Sequence, residues 1–163
     1  MKKKKIEHFI NINKIKSSSV FYKNSNPFNH MVIENFFDLK FATKLEKEFL
    51  NYKSDKWFKY KNDIENKKAL NDWNMFPEKT YLLYEYLTSN KFVNFLSDTV
   101  GTKLYADPGL HGGGWHIHGR GGNLNPHLDY SIHPKLGLQR KINLIIYISK
   151  NFKAAYGGHL GLW

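Results

Sequence analysis

His127-Leu128-Asp129, followed by Arg140, by Asn143-Leu144-Ile145-Ile146-Tyr147-Ile148 and by Gly157-Gly158-His159-Leu160, is the stretch on which the reading of this chain turns. In an extended segment, side chains two residues apart project from the same side. The imidazole of His127 and the carboxylate of Asp129 would then converge on one point while Leu128 turns away. Both groups suit a first-row divalent ion, and two histidines with one carboxylate on one face of an octahedron leave three positions open. Five of the eight histidines lie between His111 and His133, around this pair. Alone the pair has little weight, because a His-x-Asp arises by chance roughly 0.3 times in a chain of this composition. A surface histidine beside a turn aspartate is the commoner origin. Its weight comes from the order of the residues around it.

Working outward, Ile142 to Ser149 is a β-branched run and the strongest strand candidate in the chain. Trp115-His116-Ile117-His118 and Lys103-Leu104-Tyr105 are shorter candidates, separated by glycine turns at Gly112-Gly113-Gly114 and Gly121-Gly122. Upstream of Gly101 the texture is helical. Phe37, Phe41, Leu45 and Phe49 recur every four residues opposite Lys40, Lys44, Glu46 and Lys47, which predicts an amphipathic helix. Pro77 suits a first helical turn ahead of Tyr81, Leu82, Tyr84 and Leu87. Asn90 is a candidate cap for a helix bearing Phe92, Val93, Leu96 and Val100 that Gly101 would stop. The segment from Ser54 to Asn74 reads as charged and irregular, with Trp57 and Trp73 as anchors. Met31-Val32-Ile33 suits a short strand. Residues 1–29 read as a polar, lysine-rich, loosely packed lead-in. Helices first and short strands afterwards predict an α+β domain whose β part is a sandwich or barrel.

Composition narrows the chemistry. The chain has 163 residues, 41% of them hydrophobic and 16% aromatic, enough to bury a core. It contains no cysteine, which excludes disulfides, thiolate zinc sites and cysteine nucleophiles, so any metal must be held by histidine and carboxylate. The net charge of +11 invites phosphate, but only Arg120 and Arg140 are arginine. Bidentate reading of nucleic acid leans on arginine's planar fork, so no specific nucleic-acid partner is expected. The basic start Met1-Lys2-Lys3-Lys4-Lys5 is not followed by an apolar run, because Glu7, His8, Asn11 and Asn13 interrupt it. Nothing approaches a membrane span, and a cytoplasmic protein with no membrane partner is expected. Oligomeric state is not legible.

The ordered set His-x-Asp, arginine, strand and Gly-Gly-x-Leu resembles the catalytic domain of iron(II)- and 2-oxoglutarate-dependent dioxygenases of the prolyl 4-hydroxylase-like type. Tyr147-Ile148-Ser149 stands where that family ends its strand in a Tyr-Leu-Asn-like sequence. Gly112 to His118 with Gly121-Gly122 looks like the family's approach to the metal ligands. Pro27-Phe28 through Asn35-Phe36-Phe37 looks like its N-terminal strand and helix, so the resemblance spans roughly residues 27 to 163. It implies a double-stranded β-helix, or jelly roll, with N-terminal flanking helices and incomplete at the C-terminus. The lead-in would occupy 1–29, the N-terminal strand and helices 30–102, and the first part of the jelly roll 103–163. It implies His127 and Asp129 as iron ligands, with 2-oxoglutarate and O2 as co-substrates and ascorbate as a candidate reductant. His118 stands near where the family carries a tyrosine that touches 2-oxoglutarate, and is the candidate co-substrate contact. The implied reaction hydroxylates a protein side chain, proline being one candidate, or a small molecule.

The family's third ligand, a histidine, and the basic residue that pairs with the distal carboxylate of 2-oxoglutarate are carried well downstream, and neither is identified before Trp163. His159 lies within Gly-Gly-x-Leu, which is not the ligand position. The chain therefore reads as a truncated, inactive fragment of such an enzyme, and the alternative is a non-catalytic jelly-roll binding module. Arg140 reads as holding the strand or nearby carboxylates, and His133, before Pro134, as a solvated loop residue. His116 and His118 could suggest zinc, but Gly119-Arg120 follows instead of a further Asp-His pair. Gly112-Gly113-Gly114 lacks the lysine and hydroxyl of a phosphate loop and reads as a turn.

Overall fold

Burial of the four-residue aromatic stripe organises the first half of the protein. In a computed structural model describing residues 5–163, helix α2 runs Leu39–Asn51 with Phe41 and Leu45 buried. The Asp38 carboxylate caps it, accepting from the amides of Lys40 and Phe41 at 3.0 and 3.1 Å. Phe37 therefore lies before the helix, but its ring still packs on Phe41. The basic start, Met1 to Lys4, lies outside the described residues.

The chain divides into two compact units, and the first comprises Met1–Tyr52, Phe76–Pro108 and Leu162–Trp163. Here the supposedly loose lead-in contains helix α1, Ile12–Tyr22, with Ile15 only 1% exposed. That expectation is corrected. One deeply buried isoleucine and a bridge between Ile10 and Phe37 dock a segment whose composition is otherwise polar. Helix α3, Glu78–Thr88, follows Pro77. Its open N-terminal amides at Lys79 and Thr80 donate to the Glu48 carboxylate of α2, each at 2.8 Å. Helix α4, Asn90–Val100, is capped by Ser89 rather than Asn90, the hydroxyl accepting from Phe92 N. It stops at Gly101, whose φ of +72° is a left-handed conformation that glycine adopts without strain.

The second unit comprises Lys53–Met75 and Gly109–Gly161. The stretch read as irregular forms a hairpin, β1 (Phe58–Lys61) against β2 (Glu65–Leu70). Asn62 closes its turn, the side-chain oxygen accepting from the amides of Ile64 and Glu65. The strands escape a reading by alternation because lysines occupy both faces. Lys67 is usable in a sheet because its ammonium pairs with Glu65 at 2.8 Å and lies 5.2 Å from the centre of the Tyr60 ring. Strand β3, Trp115–Ile117, pairs antiparallel with the far end of β2, and β4, Asn123–Leu124, with its near end. The result is a small antiparallel sheet of four strands with β2 central, and the fold is mixed α and β.

The expected strand Ile142 to Ser149 is not a strand, nor are Lys103 to Tyr105 and Met31 to Ile33. A β-branched run suits a pleated, half-buried surface, but a strand exists only where a neighbour completes its ladder. Among the described residues none pairs with Ile142–Ser149, and Tyr147 is 70% exposed. No described helix is long and apolar enough to cross a membrane.

Candidate metal centre

The β1–β2 turn sets the position of His127. Asn125 N donates to the Ile64 carbonyl at 2.8 Å, and the Asn125 side-chain amide to the Asp63 carbonyl at 2.9 Å. Asn123 donates from its side chain to the Ile64 carbonyl and to Asn125 Oδ1. Segment 123–125 is thus tied to the hairpin through side-chain amides, which a polar asparagine-rich sequence provides. Two residues on, His127 Nδ1 donates to the carbonyl of Asn125 at 2.7 Å.

That bond decides the chemistry of the ring. With the Nδ1 proton engaged, the neutral imidazole presents a lone pair at Nε2. This atom lies 3.6 Å from Asp129 Oδ1, while Leu128 between them is 98% exposed. Two acceptors facing each other require a proton or a cation between them. Two donors each about 2.1 Å from a first-row ion can be at most about 4.2 Å apart, so His127 and Asp129 fit two positions around one ion. A hydrogen bond from the far ring nitrogen to a carbonyl is the usual arrangement of a ligating histidine.

Arg140 occupies the other carboxylate oxygen, with its guanidinium 3.0 Å from Asp129 Oδ2. Ten residues separate the two in sequence, and a tight turn returns the chain. Arg140 N donates to the Ser131 carbonyl, Ile132 bridges Gln139, and Gly137 at a φ of +65° completes the reversal. His133 holds the inside of this turn. Its Nδ1 accepts from the amides of Lys135 and Leu136 at 3.1 and 3.0 Å, and the residue is 7% exposed. The expectation of a solvated His133 is corrected: its ring replaces water as acceptor for two turn amides. Tyr130 lies against it and under Arg140, whose guanidinium is 4.7 Å from the ring centre. Tyr130 carries no sequence signal of its own, whereas the loop expected at His133-Pro134 is this turn, marked by Pro134-Lys135-Leu136-Gly137.

No protein family, curated protein or solved structure matches this chain.

Among the described residues no third histidine or carboxylate joins His127 and Asp129. His159 Nε2 donates to the Ala154 carbonyl at 3.3 Å, and the ring packs on Phe152. His118 stands one residue beyond β3, within the fields of Lys67 and Glu65. Burial and then the Lys67 charge hold the His116 and His118 pKa values below the ordinary histidine range. The linkage sign follows. Below the unfolded histidine value of about 6.5, the unfolded chain binds protons that folded His116 refuses, so stability falls as pH falls through that value. Denaturant midpoints should therefore drop between pH 7.5 and 5.5, less steeply in His116→Gln. Equal slopes in the two proteins would remove His116 as a source of the dependence.

Proposed function

We propose that the chain belongs to an iron(II)- and 2-oxoglutarate-dependent dioxygenase that hydroxylates a C–H bond of a protein side chain or small molecule. The observation that carries this reading is His127 Nε2 facing Asp129 Oδ1 at 3.6 Å, each fixed from behind by a bond that leaves its metal-facing atom free. The ordered residues that resemble prolyl 4-hydroxylase-like domains support it, and on that resemblance the β part extends into a jelly roll. When bound, ferrous iron with 2-oxoglutarate supplies an oxidative decarboxylation coupled to insertion of one oxygen atom into substrate.

The protein's own contribution is geometric. The Asn125 carbonyl accepts the Nδ1 proton of His127, so Nε2 is the ring nitrogen turned toward Asp129 and the metal position. Arg140 neutralises Oδ2 and turns Asp129 into a one-oxygen donor. His127 and Asp129 side chains are 39% and 44% exposed, which leaves access for a chelating co-substrate. His118 is the proposed contact to 2-oxoglutarate. A chain without cysteine that handles ferrous iron suits the reducing cytoplasm.

The test is succinate release from 2-oxoglutarate, with Fe(II) present or chelated, by a protein that carries this chain together with the family's downstream histidine and basic residue, alongside calorimetric titration of Co(II) as a spectroscopic stand-in. Iron-dependent succinate supports the proposal. Co(II) and 2-oxoglutarate binding without succinate would favour a binding module that keeps the ligands and lacks turnover. Absence of any saturable metal binding would end the reading.

A further inference from the structure

Nothing in the metal chemistry requires the residue after Asp129 to be aromatic, yet Tyr130 is the hub of a packed cluster. Its ring lies 5.2 Å from His111 and 5.8 Å from His133, centre to centre, and His111 and His133 are 5.2 Å apart. The hydroxyl donates to the His111 carbonyl at 3.2 Å. The Arg140 guanidinium lies over the ring, 4.7 Å from its centre, and Arg140 reaches Asp129 Oδ2. Arginine has many rotamers, and a carboxylate that is 44% exposed cannot alone hold one of them. A planar cation on an aromatic face is attracted to the ring quadrupole and loses rotational freedom there.

We infer that Tyr130 is a positioning residue: its ring fixes Arg140, Arg140 occupies one oxygen of Asp129, and Asp129 is left with a single oxygen for the metal. His133, locked as the acceptor of two turn amides, and His111 make edge contacts that hold the ring in place. This rests on the proposed metal site, but the stacking itself exists without metal. The consequence is specific. A carboxylate released from Arg140 can chelate through both oxygens, taking up a coordination position that co-substrate requires, so loss of the ring changes the form of metal binding as well as its strength.

Three proteins separate the possibilities: the parent, Tyr130→Phe, which keeps the ring face, and Tyr130→Leu, which does not. In metal-free protein, the Arg140 Nε–H resonance and the Asp129 carboxyl shift should match in parent and Tyr130→Phe and move in Tyr130→Leu. With Co(II), Tyr130→Leu should bind about fivefold more weakly, the scale of one cation–π contact, with an altered d–d spectrum, while Tyr130→Phe matches the parent. Unchanged resonances in Tyr130→Leu overturn the positioning role whatever the metal does. Resonances that move as expected in a parent protein that binds no Co(II) overturn the metal site, and the role of Tyr130 toward it, while the Arg140 stacking stands. Identical Co(II) spectra in all three proteins overturn the role with the metal site intact.

Discussion

Asp129→Ala should lose metal binding by more than about 100-fold, since removing even an outer-shell partner of a ligand costs 10–100-fold. The substitution deletes one of two facing donors and strips Arg140 of its acceptor, so the site changes from a charge-balanced pair to an uncompensated guanidinium beside a single imidazole. In a protein that also carries the downstream histidine and basic residue, iron-dependent succinate release should disappear with it. Global stability should barely change, by about 0.5 kcal/mol, because the carboxylate is part exposed and its ion pair is screened by water. That contrast makes the experiment informative. Calorimetry with Co(II) and a denaturant melt on the same sample give a large loss in one and a small shift in the other. Asp129→Asn sharpens it, since the amide keeps an oxygen at nearly the same place but not the charge. Retention of parent-like metal affinity in Asp129→Ala would mean that the 3.6 Å approach to His127 has nothing to do with a metal.

Gly114→Ala should produce the largest loss of stability of any single glycine substitution in the second unit. Gly114 precedes the buried Trp115 and crosses the end of β2 at a φ of +90°. A Cβ there would run into the carbonyl oxygen of Leu70 and come within 2.7 Å of Asn71 Cα. Both are backbone atoms at the edge of a ladder, so relief requires strand β3 to withdraw from β2. That would unseat Trp115 from its stack on Trp57, rings 6.1 Å apart. About 3–5 kcal/mol is expected from left-handed strain plus overpacking, a large share of the 5–15 kcal/mol typical of a whole domain. Gly121→Ala is the control. Its φ is +71° but nothing lies within 4 Å of the added carbon, so only the left-handed backbone cost of about 1–2 kcal/mol applies. Similar denaturant midpoints for the two variants would show that the backbone at Gly114 is not in close contact with Leu70 and Asn71. The glycine run read as a turn is therefore also a packing surface, because only a residue without Cβ lets β3 reach β2.

What the sequence determined by itself is what closes within a few residues. Helix hydrogen bonds span four positions, so the stripe through Phe41 and Leu45 announced α2, and the glycine at 101 announced the end of α4. The His127-Leu128-Asp129 spacing is equally local, and the two side chains do converge. Only the tertiary structure decided the rest, because those features depend on partners distant in the chain. The lysine-bearing hairpin of β1 and β2 is organised by β3 and β4, which lie some fifty residues later. Ile142 to Ser149 has the residues of a strand but no described neighbour to make it one. Helix α1 is held by a single buried isoleucine that composition averages away. Arg140 meets Asp129 because a buried histidine stabilises the intervening turn. Propensity is a property of a segment, whereas a ladder, a clamp or a buried acceptor is a property of two segments brought together.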